Sequence, residues 1–365
     1  MSPEPTEADV VTYEAPPGRV VFGVGSLDRL PEELTRLGTR RVLLVASKRV
    51  ADEVVDRLGD RHAATFSDVV QHVPVEVAER ARQAAREVHA DTLVTVGGGS
   101  AVGLAKAVAL DLDLPIVAVP TTYAGSELTT IYGLSQDGRK QTGRDPRVLP
   151  KVVLYDPALT VSLPAQVTGP SGMNALAHCV EAFYGPGANP ISAVLATEGI
   201  RALAAGLPLA VERPDDLEGR TRTLGGAWLA GAALTVAGTG IHHQICHVLG
   251  GAFGLDHGGM NAVLLPHTVW FVTPAVPAAM ARVAAALGAA DAADAATGCF
   301  DLARRIGAPA SLAALGMTGA DLDRAAELCA GQVTGRPRAA GVEELRALLG
   351  AAHAGQPPGR ATAAP

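Results

Sequence analysis

Apolar and polar residues alternate in short blocks along the first 164 residues, and these blocks predict strands and helices in turn. Between the strands, residues 48–59, 74–89 and 101–112 repeat apolar side chains with the helical period. Four short apolar runs have the composition of buried strands: RVVFGVG (19–25), RRVLLVAS (40–47), DTLVTVGGGS (91–100) and LPIVAVPTT (114–122). Strands that alternate with helices predict a parallel sheet with helices on both faces.

The pattern changes after KVVLYDPALTVSLP (151–164), where β-rich runs of similar strength end. Residues 165–350 are a succession of Ala- and Leu-rich segments with helical spacing, broken by Gly and Pro. We therefore predict an N-terminal α/β, Rossmann-like domain with a parallel sheet over residues 1–164. An all-α C-terminal domain over 165–350 and a flexible tail over 351–365 follow it, with the active site in the cleft between the two domains.

Composition narrows the class of protein. The chain has 365 residues, of which 48% are hydrophobic and 18% charged, as in a two-domain globular enzyme. The net charge is −7 and Lys and Arg form no block, which argues against a nucleic-acid partner. The first residues carry no apolar signal region, and no uncharged apolar run is long enough for a bilayer. The four cysteines are scattered, so we expect reduced thiols in a cytoplasmic protein without a membrane partner.

A run of three glycines lies where a predicted strand becomes a helix. Gly97, Gly98 and Gly99 let the backbone approach a pyrophosphate closely, and the helix that follows offers free N–H groups. Ser100 is placed to cap this helix or to bind a phosphate oxygen. A simple tight turn is the alternative, since the stretch matches neither the standard Rossmann fingerprint nor a Walker loop. Its position between strand and helix favours phosphate binding.

The next predicted strand ends in PTTYAGSELTT (120–130). Thr121, Thr122 and Ser126 follow its C-terminal edge, where ligands bind in open α/β sheets. A solvated loop is the alternative for this stretch taken alone. Together with the glycines, these hydroxyl groups are candidates for cofactor binding.

The end of the second strand is where an acidic residue would select NADH over NADPH by binding the ribose 2′-hydroxyl. Here Ser47 is followed by two cations, Lys48 and Arg49, and no carboxylate is present. We therefore expect Ser47 to bind the cofactor and NADPH to be accepted alongside NADH.

Five polar side chains of the helical domain are candidates for chemistry: Asn174, His178, His243, His247 and His257. The first two are four residues apart, as are His243 and His247, so each pair shares a helix face. The positions 174, 178, 243 and 257 could close around one ion. An ordinary core or surface histidine is the alternative for each.

The amide of Asn174 bears on the choice between a metal site and a proton-transfer site. Iron and zinc sites usually include a carboxylate, and an amide oxygen is a much weaker ligand. Imidazoles without a metal donate hydrogen bonds or protons near neutral pH. We therefore expect no tightly bound metal ion.

The motifs taken together resemble the iron-containing alcohol dehydrogenase family, with its dehydroquinate-synthase-like fold, over about residues 15–350. The motifs that carry this resemblance are GGGSxxxxAK, PTTxxxSE, KVVLYDPALTxxLP, SGMNALAHCVEA, HHQICHVLGG and HGGMNAVLLPH. Within the family the chain is most similar to the maleylacetate reductases, on QHVPVEVAE (71–79) and on Asn174. The metal-dependent alcohol dehydrogenases carry Asp at that position and at Gly103.

This resemblance implies site residues. The family's metal ligands would map to Asn174, His178, His243 and His257, a vestigial set here, and His247 to a position beside the nicotinamide. Lys140 is similar to a family lysine that approaches the cofactor.

The resemblance also implies an activity, the reduction of the C=C bond of maleylacetate to 3-oxoadipate by NADH or NADPH in aromatic compound degradation. We expect His243 and His247 to donate hydrogen bonds to the enolate oxygen, one of them supplying the proton. The substrate is a small dicarboxylate, so Arg144 and Arg147 are candidates for binding it, with an exposed charged hairpin as the alternative. Family resemblance also implies a homodimer.

One departure keeps a second function open. After His257 the chain continues with residues 258–261, GGMN, which is closer to the alcohol dehydrogenases of the family. A metal-dependent alcohol dehydrogenase or aldehyde reductase is therefore the runner-up. A catalytically idle relative kept as a binding subunit is a further alternative, and it would not oxidise NADPH with any carbonyl or enone acceptor. A lyase is disfavoured because no set of basic residues for a phosphorylated sugar acid is evident.

Overall fold

The computed structural model describes residues 18–136, 139–289, 291–334 and 336–359, without the side chains of residues 49, 53, 139 and 140. The strands are β1 (Arg19–Phe22), β2 (Val42–Ala46), β3 (His62–Phe66), β4 (Thr92–Gly97), β5 (Ile116–Pro120), β6 (Ile131–Gln136), β7 (Arg139–Arg144) and β8 (Val152–Tyr155). The helices of the first part are α1 (Leu30–Arg36), α2 (Lys48–Leu58), α3 (Val75–Glu87) and α4 (Gly99–Leu112). The helices that follow are α5 (Ala165–Glu181), α6 (Pro190–Glu212), α7 (Leu217–Ala237), α8 (Ile241–Phe253), α9 (His257–Val272), α10 (Pro277–Leu287), α11 (Asp294–Arg305), α12 (Leu322–Gln332) and α13 (Val342–His353).

Six strands form one parallel sheet in the order β1-β8-β5-β4-β2-β3. The apolar residues of β2 show how the sheet is covered, because Leu43 and Val45 pack on one face and Val42 and Leu44 on the other. Both faces are buried, which is why these strands are continuous apolar runs and do not alternate with polar residues. The predicted fold class, an α/β part with a parallel sheet followed by a helical part, is confirmed.

The direction of strand addition reverses at β2. The chain adds β3 on one side of β2 and then returns to add β4 on the other. In open α/β sheets such a reversal leaves a crevice outside the carboxyl ends of the two strands. The loops after β2 and β4 therefore diverge around a ready-made binding cleft.

Two features of the α/β part are not evident from the apolar pattern. Strand β3 is a half-buried edge strand, HAATF, paired only with β2, so it lacks the branched apolar run of a central strand. Strands β6 and β7 form a separate antiparallel hairpin whose second strand, RKQTGR, carries three cations. Pairing with a neighbour, and not burial, makes these segments strands.

The helical part packs on the sheet as one continuous core. Within the described residues, α6 is the one helix long and apolar enough to cross a bilayer. Helices α7 and α8 meet the same criterion only if they are counted as one span, although they are bent by 97°. Helix α6 packs against α5 and α7, as a core helix of a globular protein does. At the C-terminal end, α13 continues three residues into the segment expected to be a tail, because Leu349 and Ala352 are buried against the rest of the part.

Candidate active site

A cleft of about 800 Å³ lies at the carboxyl ends of β2, β4 and β5, facing the helical part. It gathers most of the side chains that the sequence singled out. Those from the α/β part are Ser47, Gly97, Gly98, Gly99, Ser100, Thr121, Thr122 and Ser126. Those from the helical part are Asn174, His178, His247 and His257. The two sets face each other, as binding in an interdomain cleft requires.

The turn between β4 and α4 is built for a phosphate. Gly97 has a φ of +151°, which side chains other than hydrogen rarely permit. A Cβ placed on Gly98 would lie 3.0 Å from the side chain of Thr122, which would have to move to accept it. Gly98 is the N-cap of α4 and has no side chain to accept from the first N–H groups of the helix. These N–H groups are therefore open to the cleft. These residues fit the pyrophosphate of a dinucleotide.

We expect Gly98→Ala to raise the KM for NADPH by about tenfold or more, equivalent to ~1.4 kcal/mol of binding. The added methyl displaces Thr122 and with it the open backbone of the cradle. Steady-state kinetics at saturating second substrate measures the effect. The matched control is Gly251→Ala on the exposed side of α8, where a Cβ meets nothing within 4 Å. Equal KM values for the two variants would show that the cradle does not bind the cofactor.

The second strand contributes Ser47 to the cleft. It is the N-cap of α2, with extended backbone and no side-chain capping bond, so its hydroxyl faces the cleft with the first turn of the helix behind it. Lys48 is exposed. This geometry suits a ribose hydroxyl or a phosphate group at the helix N-terminus equally well.

The predicted substrate-binding cations lie on and beside the β6–β7 hairpin. Thr142 of β7 lines the cleft, and Arg144, two residues on, shares its face of the strand. Arg147 is exposed and its guanidinium donates to both carboxylate oxygens of Asp145, at 3.0 and 2.8 Å. Neither arginine is among the cleft-lining residues. The side chain of Lys140 lies outside the described residues.

Lys106, the buried lysine that ends the GGGSxxxxAK motif, anchors the loop carrying Ser126. The ammonium of Lys106 donates to the carbonyl oxygens of Ser126 and Thr129 at 2.7 Å and of Ile131 at 2.8 Å, and it lies 3.0 Å from the hydroxyl of Thr129. Its side chain is fully buried. The signal available in the sequence was the single cation within the otherwise apolar helix α4.

A second buried group lies behind the same loop. Glu127 is 1% exposed and accepts a 2.6 Å hydrogen bond from the hydroxyl of Tyr155. Burial raises the pKa of this carboxyl above its ordinary value. The loop after β5 is therefore held from inside by polar contacts as well as by packing.

Asn174 lies between two imidazoles. The rings of His178 and His243 stack with centroids 4.2 Å apart and planes within 6°. The Asn174 amide nitrogen donates to Nε2 of His178, and Nε2 of His243 donates to the amide oxygen, each at 3.3 Å. Burial lowers the pKa of both imidazoles well below their usual range, and the other histidines add to this. The amide therefore bridges two neutral rings.

Glu181 lies behind this bridge and was missed in the sequence. Its Oε2 is 2.6 Å from Nδ1 of His243, and its Oε1 accepts the backbone N–H of the same residue at 3.2 Å. Burial raises the pKa of this carboxyl, which is fully enclosed. The signal was its spacing, since Asn174, His178 and Glu181 recur at intervals of four and three on one face of α5.

His247 and His257 face the cleft directly. His247 is exposed on α8 and His257 is half-buried at the start of α9, with ring centroids 6.1 Å apart. His243 is only 2% exposed and is not among the residues that line the cleft. The adjacent His242 points away, bonded to Thr268 and Asn261. Among the four histidines of this segment, two therefore reach a bound ligand directly.

The segment after His257 is shaped by packing. A Cβ on Gly258 would lie 3.1 Å from Cβ of Pro170, and one on Gly259 would lie 2.6 Å from Leu315. Asp256 caps α9 by accepting the N–H of Gly259 at 2.7 Å. Gly258 thus lets α9 begin close against α5, and Gly259 lets it pack against Leu315. This packing brings His257 to the cleft.

The four vestigial positions supply three imidazoles and an amide, without the carboxylate that iron and zinc sites usually include. Asn174 supplies an amide in place of a charged oxygen, and the ring nitrogens of His178 and His243 that would face an ion are both hydrogen-bonded to it. Among the residues that the structure describes, no three His, Cys, Asp or Glu side chains form a group that could hold a metal ion.

Comparison with known proteins places the chain. A family model for iron-containing alcohol dehydrogenase matches residues 17–157, and a model for the C-terminal part of the Fe-containing alcohol dehydrogenase family matches residues 168–353. Maleylacetate reductase 2 of Cupriavidus pinatubonensis is 52% identical over 345 residues, 94% of this chain and 96% of that protein.

Two solved structures agree with this relationship. Maleylacetate reductase from Rhizobium sp. has a TM-score of 0.91 at 44% identity, covering 98% of this chain and 100% of that one. Maleylacetate reductase from Agrobacterium tumefaciens has a TM-score of 0.91 at 43% identity, covering 96% and 99%. The chain belongs to the iron-containing alcohol dehydrogenase family, whose members are NAD(P)-dependent oxidoreductases.

Proposed function

We propose that the chain reduces the C=C bond of maleylacetate to 3-oxoadipate with NADH or NADPH, without a resident metal ion. The observation that carries this proposal is the Asn174 amide, which bridges His178 and His243 where a metal-dependent relative would hold an ion. The 52% identity to a maleylacetate reductase over nearly the whole chain supports the substrate. The open glycine cradle supports the dinucleotide.

The chemistry explains why an ion is dispensable. The bound reduced nicotinamide supplies a hydride to the alkene carbon β to the ketone. The new C–H bond displaces the π electrons onto the ketone oxygen as an enolate, and a proton then adds to the adjacent carbon. The negative charge is spread by conjugation, so hydrogen-bond donors in a sheltered site suffice to stabilise it. A simple aldehyde yields a localised alkoxide, which depends more on a Lewis acid.

The histidines divide this work by position. His247 is exposed in the cleft, so we assign it the proton and a hydrogen bond to the enolate oxygen. His257 lines the same wall as a further donor, and His178 contributes its ring to the wall. His243 is enclosed behind them, so its part in the reaction passes through Asn174 and His178.

Substrate carboxylates need a cation at the other end of the cleft. Arg144 shares a strand face with the cleft-lining Thr142, and we propose that it binds one carboxylate. A charge-assisted hydrogen bond contributes about 1.5–3 kcal/mol, so we expect Arg144→Ala to raise the KM for maleylacetate by about 10- to 100-fold. Arg147→Ala is the control, because Asp145 already holds that guanidinium. Equal KM values for maleylacetate in the two variants would show that Arg144 does not bind a substrate carboxylate.

Family resemblance supports two further proposals. We propose a homodimer in the cytoplasm, where reduced nicotinamide nucleotides are supplied, acting in aromatic compound degradation. Sedimentation of the purified protein measures the oligomeric state. Growth of a deletion strain on aromatic substrates tests the role in degradation.

One assay tests the function. NADPH oxidation is followed with maleylacetate and with a panel of short aldehydes, before and after exhaustive chelation. We expect turnover with maleylacetate only, unchanged by the chelator. Turnover of aldehydes that chelation abolishes and Fe²⁺ or Zn²⁺ restores would instead establish a metal-dependent alcohol dehydrogenase. Oxidation with neither class of acceptor would exclude both reductases.

A further inference from the structure

The structure assigns Glu181 a role in the reaction that rests on the function proposed above. We propose that it is a positioning residue, which holds His243 and, through Asn174, fixes the orientation of His178 on the cleft wall. The three links of this chain are Glu181 to His243 at 2.6 Å, His243 to Asn174 at 3.3 Å and Asn174 to His178 at 3.3 Å. Asn174 and His178 line the cleft, whereas Glu181 and His243 lie behind it.

Glu181 is the fixed end of the chain. It is the last residue of α5 and is completely enclosed, and it receives the backbone N–H of His243 in the first turn of α8. One side chain therefore joins the C-terminal end of one helix to the N-terminal end of another. His243 cannot rotate about its side-chain bonds without breaking this contact.

The direction of the hydrogen bonds follows from the amide. Asn174 offers its oxygen to His243 and its N–H to His178, so Nε2 of His243 is the donor in the first contact and Nε2 of His178 the acceptor in the second. With Nε2 carrying its proton, Nδ1 of a neutral His243 accepts from the carboxyl group of Glu181. Each residue thus determines the ring orientation and tautomer of the next.

Two directed contacts orient the buried ring of His178. Its Nδ1 is buried and has no hydrogen-bond partner among the residues that the structure describes. Its other contacts of defined geometry are the stack on His243 and the amide of Asn174. The stack depends on where His243 lies, and the Asn174 amide is hydrogen-bonded to His243 as well as, at 3.5 Å, to the carbonyl oxygen of Ala124. A change at Glu181 therefore reaches the cleft wall through His243.

The test compares two substitutions of Glu181. Glu181→Gln keeps the size, a donor for Nδ1 and an acceptor for the backbone N–H, so we expect kcat within about threefold of the wild type. Glu181→Leu removes both functions, and we expect kcat to fall by about tenfold or more with an unchanged KM for NADPH. Glu198→Leu, at an exposed glutamate on α6, is the matched control. An unchanged kcat in Glu181→Leu, or a Gln variant as slow as the Leu variant, would overturn the proposal.

A spectroscopic measurement separates this proposal from the function on which it rests. In ¹⁵N-histidine-labelled protein without substrate, the imidazole signals of His178 and His243 report their tautomers. We expect them to be preserved in Glu181→Gln and shifted in Glu181→Leu, whatever the substrate proves to be. Unshifted signals in a folded Leu variant would count against the positioning role even if maleylacetate is the substrate.

A second route breaks the same chain if Glu181→Leu does not fold. His243→Phe keeps the ring stacked on His178 but removes both nitrogen atoms. We expect the same fall in kcat and the same shift of the His178 signal, and no change in kcat when Glu181→Gln is added to it. A His243→Phe variant with wild-type kcat and an unshifted His178 signal would show that the chain does not act on the cleft.

Discussion

His247→Asn should lower kcat for maleylacetate reduction by about 10²- to 10⁴-fold, the usual contribution of a positioned acid or base. Among the four histidines between residues 242 and 259, His247 is the most exposed in the cleft. Removing its imidazole removes both a donor to the enolate oxygen and the proton that completes the product. The KM for NADPH should stay within a few-fold, since the glycine cradle lies on the opposite wall.

The control for this substitution is His89→Asn, at an exposed residue of the turn after α3 that does not line the cleft. His89 has a φ of +48°, a conformation that Asn accepts readily, so the exchange adds no backbone strain. Pre-steady-state measurement of NADPH oxidation distinguishes loss of the chemical step from slow product release. A fall in kcat of less than tenfold in His247→Asn would show that another group donates the proton. His257 would then be the next residue to test.

Lys106→Met should lower the free energy of unfolding by about 1–3 kcal/mol, the cost of leaving buried hydrogen-bond acceptors without their donor. The Lys106 side chain donates hydrogen bonds to three carbonyl oxygens and one hydroxyl, and the thioether of Met can donate none. The carbonyl oxygens of Thr129 and Ile131 then lose this donor, whereas the carbonyl oxygen of Ser126 keeps the N–H and the hydroxyl of Thr129. The loop that carries Ser126 should loosen, so the KM for NADPH should rise as well.

Urea unfolding followed by far-UV circular dichroism measures this loss. Lys151→Met is the matched control, because that lysine is exposed and its replacement should change the free energy by no more than about 0.5 kcal/mol. A loss below about 1 kcal/mol in Lys106→Met would mean that the acceptors find other donors. The anchoring role of Lys106 would then be wrong.

The parts of this protein that the sequence determined are those with a local cause. β2, β4 and β5 are continuous apolar runs because both faces of the sheet are covered, and this is visible without knowing the partners. Gly97 likewise marks the phosphate cradle through its own backbone requirement. The intervals within α5 and α8 placed Asn174 with His178, and His243 with His247, on shared faces because helical geometry is set by the backbone alone.

Other features depended on contacts between distant segments. Glu181 and His243 are 62 residues apart, and Lys106 holds carbonyl oxygens 20 to 25 residues away. No spacing rule connects such pairs, since the packing of α5 on α8 and of α4 on the loop after β5 creates them. The β6–β7 hairpin was only an alternative in the sequence, because cations and glycines form a strand there only when paired.

The tertiary structure also decided which histidines reach the cleft. His243 and His247 lie on one face of α8, and the sequence treats them alike. Packing against α5 encloses His243 behind Asn174 and leaves His247 open, so one imidazole is a support and the other meets the ligand. Residue type and spacing determine what chemistry is available, whereas burial determines which group performs it, because access to the cleft depends on the arrangement of whole helices.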